Sequence, residues 1–326
     1  MRKVFICLTP LHVLWSISAH DLHADDFIIV VDHSGSINKF SSLVEANLLC
    51  KVFYYDASNK VFVLRDVVNS YFNLRSPLLS IINQCSIGSE FVLYLYNDRP
   101  FEVQFLAQHL QYAECAYVED GSAPYNDHWL KFGASHRLLS LIFDFYDPIN
   151  VLGTSKYIEK SFFSYPSLVR NENKKYPRVN IKMDIARLRF FRQYLPAVSV
   201  DNNECIVFIL MSEDKDKEYY ISLLKDLIIA GILEMADYVS VFKMHPLSRQ
   251  VRDKDKQVDN IPKYFPAEIF PMVNPSVTCV IGNGSTALQN IKILFPSVLV
   301  INAISGKKSI YDDALERMGV FSFFVK

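Results

Sequence analysis

Residues 26–32 read DFIIVVD, five apolar side chains in a row between two carboxylates. A strand with one wet face alternates apolar and polar residues. An unbroken run is what a strand buried on both faces requires, and such strands belong to parallel sheets covered by helices. The flanking sequence repeats the theme. Strands are expected at 3–8 (KVFICL), 51–55 (KVFYY), 90–96 (EFVLYLY) and 114–118 (ECAYV), with helices between them at 10–20, 38–49, 66–85, 100–111 and 127–145. This alternation predicts a doubly wound α/β unit.

The rhythm breaks between 148 and about 200, where Pro148, Pro166, Pro177 and Pro196 fall. It resumes with strands at 205–211, 238–244, 276–282, 297–302 and 320–325 and helices at 216–235, 267–273, 285–294 and 311–318. The expected organisation is therefore two Rossmann-like domains, 1–155 and 203–326. A linker with a connecting helix, 156–202, joins them, and the domains are expected to face each other across a central cleft. The length of 326 residues fits two domains.

Composition excludes several classes. Half the residues are hydrophobic, too many for a disordered chain. Lys plus Arg is 34 against 35 Asp plus Glu, so the basic excess of a nucleic-acid-binding protein is missing. Six widely spaced cysteines without a CxxC pair suit buried thiols in a reducing cytoplasm better than a disulfide framework or a zinc site. The opening stretch, Met1-Arg2-Lys3 followed by VFICLTPLHVLWSISAH, imitates a signal peptide. Pro10 and His12 interrupt it, which favours a strand, a turn and a helix. Between Arg170 and Arg192 lie eight basic residues against Glu172 and Asp184. They form either a solvated linker or, with Phe190 and Phe191, a basic face for an anionic membrane.

Four polar groups stand out. Glu119-Asp120-Gly121 follows a strand, and two adjacent carboxylates before a turn glycine can furnish a general base or form an ordinary acidic turn. Lys243-Met244-His245-Pro246 ends another strand, where a histidine can donate to a phosphate or simply be exposed. Gly282-Asn283-Gly284-Ser285-Thr286 opens a helix, which suits either phosphate binding or a plain N-cap. Glu268 can accept from ribose hydroxyls or sit on a helix surface. Walker, GxGxxG, HExxH, GxSxG and EF-hand patterns are missing from the sequence.

In this order the groups resemble the D/E-D/E-G, HP and Ser/Thr motifs of bacterial sialyltransferases of the lipooligosaccharide, capsule and marine multifunctional groups. The resemblance spans both halves, with the motifs in the same order. It implies a GT-B glycosyltransferase fold and an inverting, metal-independent transfer from CMP-sialic acid to a galactoside-type acceptor of lipooligosaccharide or capsule. No cofactor is implied. By the resemblance, Glu119 is the general base, with Asp120 and Gly121 supporting it. His245 assists departure of the CMP phosphate. Ser285, Thr286 and Gly284 hold that phosphate, Glu268 binds ribose, and Lys243 and Pro246 line the nucleotide pocket. Thr9 and His12, at the end of the first strand, are candidates for touching the acceptor. The implied place of work is the cytoplasm, with peripheral contact to the inner membrane face through 170–192. Competing readings are a transferase of another CMP-activated acid such as Kdo, a non-catalytic two-lobed nucleotide- or sugar-binding protein, and a UDP-sugar transferase of the same architecture.

Overall fold

The computed structural model describes residues 1–35, 37–47, 50–58, 67–85, 90–126, 134–170, 177–194, 198, 204–212, 214–234, 238–243, 261 and 265–325. It divides into two compact units, Met1–Lys182 and Met183–Lys326. Both are α/β units built on a wholly parallel sheet, the Rossmann-like class that the apolar runs predict.

In the first unit the strands are β1 (Arg2–Cys7), β2 (Phe27–Asp32), β3 (Lys51–Asp56), β4 (Phe91–Leu95), β5 (Glu114–Val118), β6 (Lys160–Phe163) and β7 (Arg178–Asn180). They lie in the order β3-β2-β1-β4-β5-β6-β7. Helices α1 (Pro10–Ala19), α2 (Ile37–Glu45), α3 (Val67–Cys85), α4 (Phe101–His109) and α5 (Ala134–Ile142) fall between strands. All six residues of β2 are buried, as its sequence requires. Burying each large aliphatic side chain there stabilises by about 1.5–3 kcal/mol. The order reverses direction between β1 and β4, which places a topological switch point at their carboxyl ends.

The second unit carries β8 (Cys205–Leu210), β9 (Tyr238–Lys243), β10 (Val277–Gly282), β11 (Leu299–Ile304) and β12 (Phe321–Phe324), in the order β12-β11-β10-β8-β9. Its helices are α6 (Lys217–Ile229), α7 (Phe270–Val273), α8 (Thr286–Leu294) and α9 (Ile310–Arg317). Val207, Ile209, Leu223, Leu227, Ile281 and Ile301 form the core between sheet and helix α6.

The segment expected to link the domains departs most from expectation. Residues 160–163 and 178–180 are strands β6 and β7 of the first sheet, so that unit continues to Lys182. KSFF and RVN are too short to carry a periodic signal, and the prolines beside them suggested a break. The connecting turn Ile185–Tyr194 is a 3-10 helix that buries Leu188 and Phe191 within the second unit. Phe191 packs against Phe265, with ring centroids 5.9 Å apart. Arg178 donates to the carbonyls of Pro166, Val169 and Arg170. Two groups of the expected membrane face thus serve packing and loop closure; Glu172, Lys174 and Lys175 lie outside the described residues. Among the described residues, no helix is long and apolar enough to cross a membrane.

Candidate functional site

At the end of β5 the two acids part company. The Glu119 N–H donates to the Phe162 carbonyl at 3.0 Å, which extends the pairing of β5 with β6 and turns this side chain inward. Glu119 is 0% exposed. Its Oε2 accepts from the Tyr125 hydroxyl and from the Ser164 N–H at 2.9 Å. Its Oε1 accepts from Ser164 Oγ at 2.7 Å. A buried carboxylate needs such partners, because each lost bond would leave a desolvated charge. Glu119, expected as the base, has both carboxylate oxygens bonded within the fold, where they tie β5 to the loop after β6. Burial pushes the Tyr125 phenol well above its ordinary pKa, and the neighbouring Glu119 carboxylate adds to that rise, so Tyr125 stays a donor.

Asp120 points elsewhere. Its side chain is 26% exposed, and its Oδ1 lies 3.0 Å from Nε2 of His12, which is 1% exposed. Nδ1 of His12 accepts from the Leu8 N–H at 3.0 Å. That bond assigns the ring proton to Nε2, so His12 donates to Asp120. The imidazole stacks on Tyr96 with centroids 4.8 Å apart, which fixes its plane. Asn97, just beyond β4, donates to Asp120 Oδ2 at 3.5 Å, and its Oδ1 accepts from the Arg99 N–H at 3.1 Å. The Asp120 N–H donates to the Tyr117 hydroxyl at 3.2 Å. Gly121 follows with φ +55°, a conformation glycine adopts without penalty. Groups from the ends of β1, β4 and β5 therefore meet at the switch point of the first sheet.

Both ring nitrogens of His12 are bonded within the fold, to the Leu8 N–H and to Asp120 Oδ1. Thr9 is exposed and caps α1, its Oγ1 accepting from the His12 N–H at 3.3 Å. Behind the site, Asp98 holds the loop that supports Tyr117. Its carboxylate accepts from the N–H groups of Gly153 and Ser155 at 2.8 and 2.9 Å. Burial pushes the Asp98 pKa up, and those bonds oppose the rise. A Cβ at Gly153 would stand 2.6 Å from the Tyr117 ring.

In the second unit the expected donor groups gather in two places. Ser285 is the N-cap of α8, its Oγ accepting from the Ala287 N–H at 3.3 Å, and Thr286 begins the helix. Both are partly exposed. Gly284, exposed and at φ +57°, lets the loop turn into the helix. Its N–H donates to Asn302 Oδ1 at 2.8 Å. Gly282 passes close to Leu288 and Leu210, with 3.2 and 3.3 Å left for a Cβ. Glu268 is buried in the 3-10 turn Ala267–Ile269 before α7, and its Oε1 accepts from Asn290 Nδ2 of α8 at 3.2 Å. Burial raises the Glu268 pKa; a backbone N–H bond, the Asn290 bond and, least, the charge of buried Lys243 partly offset this. Glu268 thus lies beside Lys243 and α8. His245 and Pro246 lie outside the described residues. Among the described residues, no three His, Cys, Asp or Glu side chains are grouped to hold a metal.

Sequence reading missed Asn97, Tyr125 and Ser164 in the first unit and Asn290, Asn302 and Asp312 in the second. Asn97 and Ser164 sit just beyond strand ends, which is the one signal that could have raised them.

No family model matches this chain, and no curated protein matches it. Solved structures do. The glycosyltransferase SnogD from Streptomyces nogalater aligns with a TM-score of 0.52 and 15% identity, over 100% of this chain and 87% of that one. The UDP-GlcNAc 2-epimerase of Methanocaldococcus jannaschii, solved with UDP-GlcNAc and UDP, aligns with a TM-score of 0.51 and 13% identity, over 100% and 89%. These likenesses agree with the α/β, GT-B-like fold of two Rossmann-like units. At such identities they speak to the fold alone, and a transferase and an epimerase share it.

Proposed function

We propose that this protein is an inverting glycosyltransferase that uses a nucleotide-activated sugar, and that its donor is CMP-sialic acid. The observation that carries the reading is Asp120: a partly exposed carboxylate at a switch-point strand end, oriented by His12 and Asn97. The motif order and the fold likeness support it.

In the proposed reaction Asp120 takes the proton of an acceptor hydroxyl, and the freed oxygen attacks the anomeric carbon. The bond from that carbon to the CMP phosphate breaks, leaving the configuration inverted. Negative charge grows on the departing phosphate, so donors aimed there stabilise the transition state more than the ground state. The first turn of α8, with Ser285 and Thr286, is suited to that task. Glu268 and Lys243 are assigned to the nucleoside side. His245 and Pro246 keep the roles their motif implies, assisting phosphate departure and lining the pocket. Charge neutralisation by these groups needs no metal. Glu119 is assigned to holding the loop, and the base role passes to Asp120. The acceptor class is a galactoside-type glycan of lipooligosaccharide or capsule, handled in the cytoplasm.

Incubation with CMP-Neu5Ac and a panel of galactosides, followed by CMP release and product mass, tests the reading. Sialylated product from wild type and none from Asp120→Asn supports it. Transfer from CMP-Kdo alone moves the donor to that acid. Protection against thermal unfolding by UDP and not by CMP moves it to the UDP-sugar class. Nucleotide binding without transfer to any acceptor ends the enzyme reading.

A further inference from the structure

Gly284 does not hold its place unaided. Its N–H is bonded to Asn302 Oδ1 at 2.8 Å, and Asn302 is wholly buried on β11, in register with Gly282 of β10. The other end of the amide donates from Nδ2 to Asp312 Oδ1 at 2.6 Å. Asp312 is also buried, and its Oδ2 accepts from the N–H and Oγ of Ser309 at 2.7 and 2.6 Å. Ser309 Oγ in turn accepts from the Asp312 N–H at 3.1 Å, closing a capping box at the start of α9.

The direction of this chain matters. A carboxylate only accepts, so Asp312 forces Asn302 to turn its NH2 toward it. The carbonyl oxygen of the amide must then face Gly284. With the amide reversed, two donors would oppose each other and the Gly284 N–H would lose its acceptor. The loop 282–285 is thereby tied to a rigid cap two elements away in sequence.

We propose that Asn302 and Asp312 are positioning residues for the donor phosphate: they set the entry of the loop into α8 and so aim its first turn. This rests on the reading of that turn as the phosphate site, and neither residue touches the donor.

Titration calorimetry of the full chain with CMP and with cytidine separates the phosphate from the rest of the nucleotide. Wild type is expected to prefer CMP. Asp312→Asn frees the amide at 302 to reverse, and Asn302→Asp sets two carboxylates against each other. Each is expected to weaken CMP at least about tenfold, a change of about 1.4 kcal/mol, while cytidine affinity stays unchanged. The double exchange Asn302→Asp with Asp312→Asn restores the polarity: the new carboxylate accepts from Gly284 and the new amide donates to it. It is expected to regain CMP affinity; loss and return confined to CMP, with cytidine unmoved throughout, is what a merely structural role would not give. Should one single variant not fold, the other and the double exchange carry the same expectation. Equal loss of CMP and cytidine in the single variants, or a double exchange no better than they are, overturns the proposal. If wild type itself holds CMP no better than cytidine, the phosphate-site reading fails at its source and this inference falls with it.

Discussion

The two strand-end clusters are built differently on the same kind of sheet. In the first unit, side chains from neighbouring strands converge on a carboxylate: His12 from after β1, Asn97 from after β4 and Asp120 from after β5. In the second, glycines bring a loop close to the sheet and a helix begins, with Asn302 steadying the backbone. A proton acceptor needs one atom held in one direction, which side-chain bonds provide. An anion needs several N–H groups pointing one way, which a helix terminus provides. The difference predicts that substitutions in the first unit act on turnover and those in the second act on donor affinity.

The sharpest break of that comparison is within the acidic pair. Asp120→Asn should lower kcat by about 10²–10⁴ through loss of the base, while CMP affinity is unchanged. Glu119→Gln should leave turnover per folded molecule near wild type. It should cost about 1–3 kcal/mol of stability, because a buried acceptor network loses its charge. Steady-state kinetics beside urea unfolding separates the two effects. If Glu119→Gln is the inactive variant and Asp120→Asn is active, the assignment is reversed.

The glycines give the next contrast. Gly153, at φ +78°, has the Tyr117 ring 2.6 Å from where a Cβ would stand. Gly153→Ala should lose about 1–3 kcal/mol from overpacking, plus about 1–2 kcal/mol for the left-handed backbone. Gly284→Ala meets open space and should pay only the backbone cost of about 1–2 kcal/mol. Equal unfolding midpoints for the two variants would mean that Tyr117 is not pinned. Smaller again, Ser285→Ala should cost about 1 kcal/mol as a lost cap and should raise the donor KM without changing the acceptor KM. A raised acceptor KM would break the division of labour.

Much of this architecture was legible because burial on both faces writes itself as apolar runs. Expected and observed strand limits at DFIIVVD differ by one residue, and the helix at 10 starts where Thr9 and Pro10 place it. Strands β6 and β7 were not legible, since four and three residues hold no period and their place comes from pairing with β5 and with each other. The motif EDG drew attention to the turn after β5 but did not show which acid faces out. That choice depends on Ser164 and Tyr125, one of them 45 residues away, filling both oxygens of Glu119. Asn302 and Asp312 were invisible for the same reason: an amide on a buried strand reads as an interruption of the apolar run until its partners are known.

The mildest effect concerns Glu268, where burial is opposed by its hydrogen bonds and, least, by Lys243. Burial dominates, so the folded chain holds this proton more tightly than the unfolded chain. Stability is then fullest below the unfolded carboxyl pKa and declines as pH rises through the raised folded value. Glu268→Gln cannot ionise and should lack that decline. Urea midpoints of the two proteins should agree in acid and separate as the pH rises, with the glutamine variant the more stable in neutral solution. CMP should narrow the gap if ribose hydroxyls bond the ionised carboxylate, because the ligand then favours the charged form that folding alone disfavours. A gap that CMP leaves untouched would place Glu268 in the packing of the turn Ala267–Ile269 against α8 and remove it from the donor site.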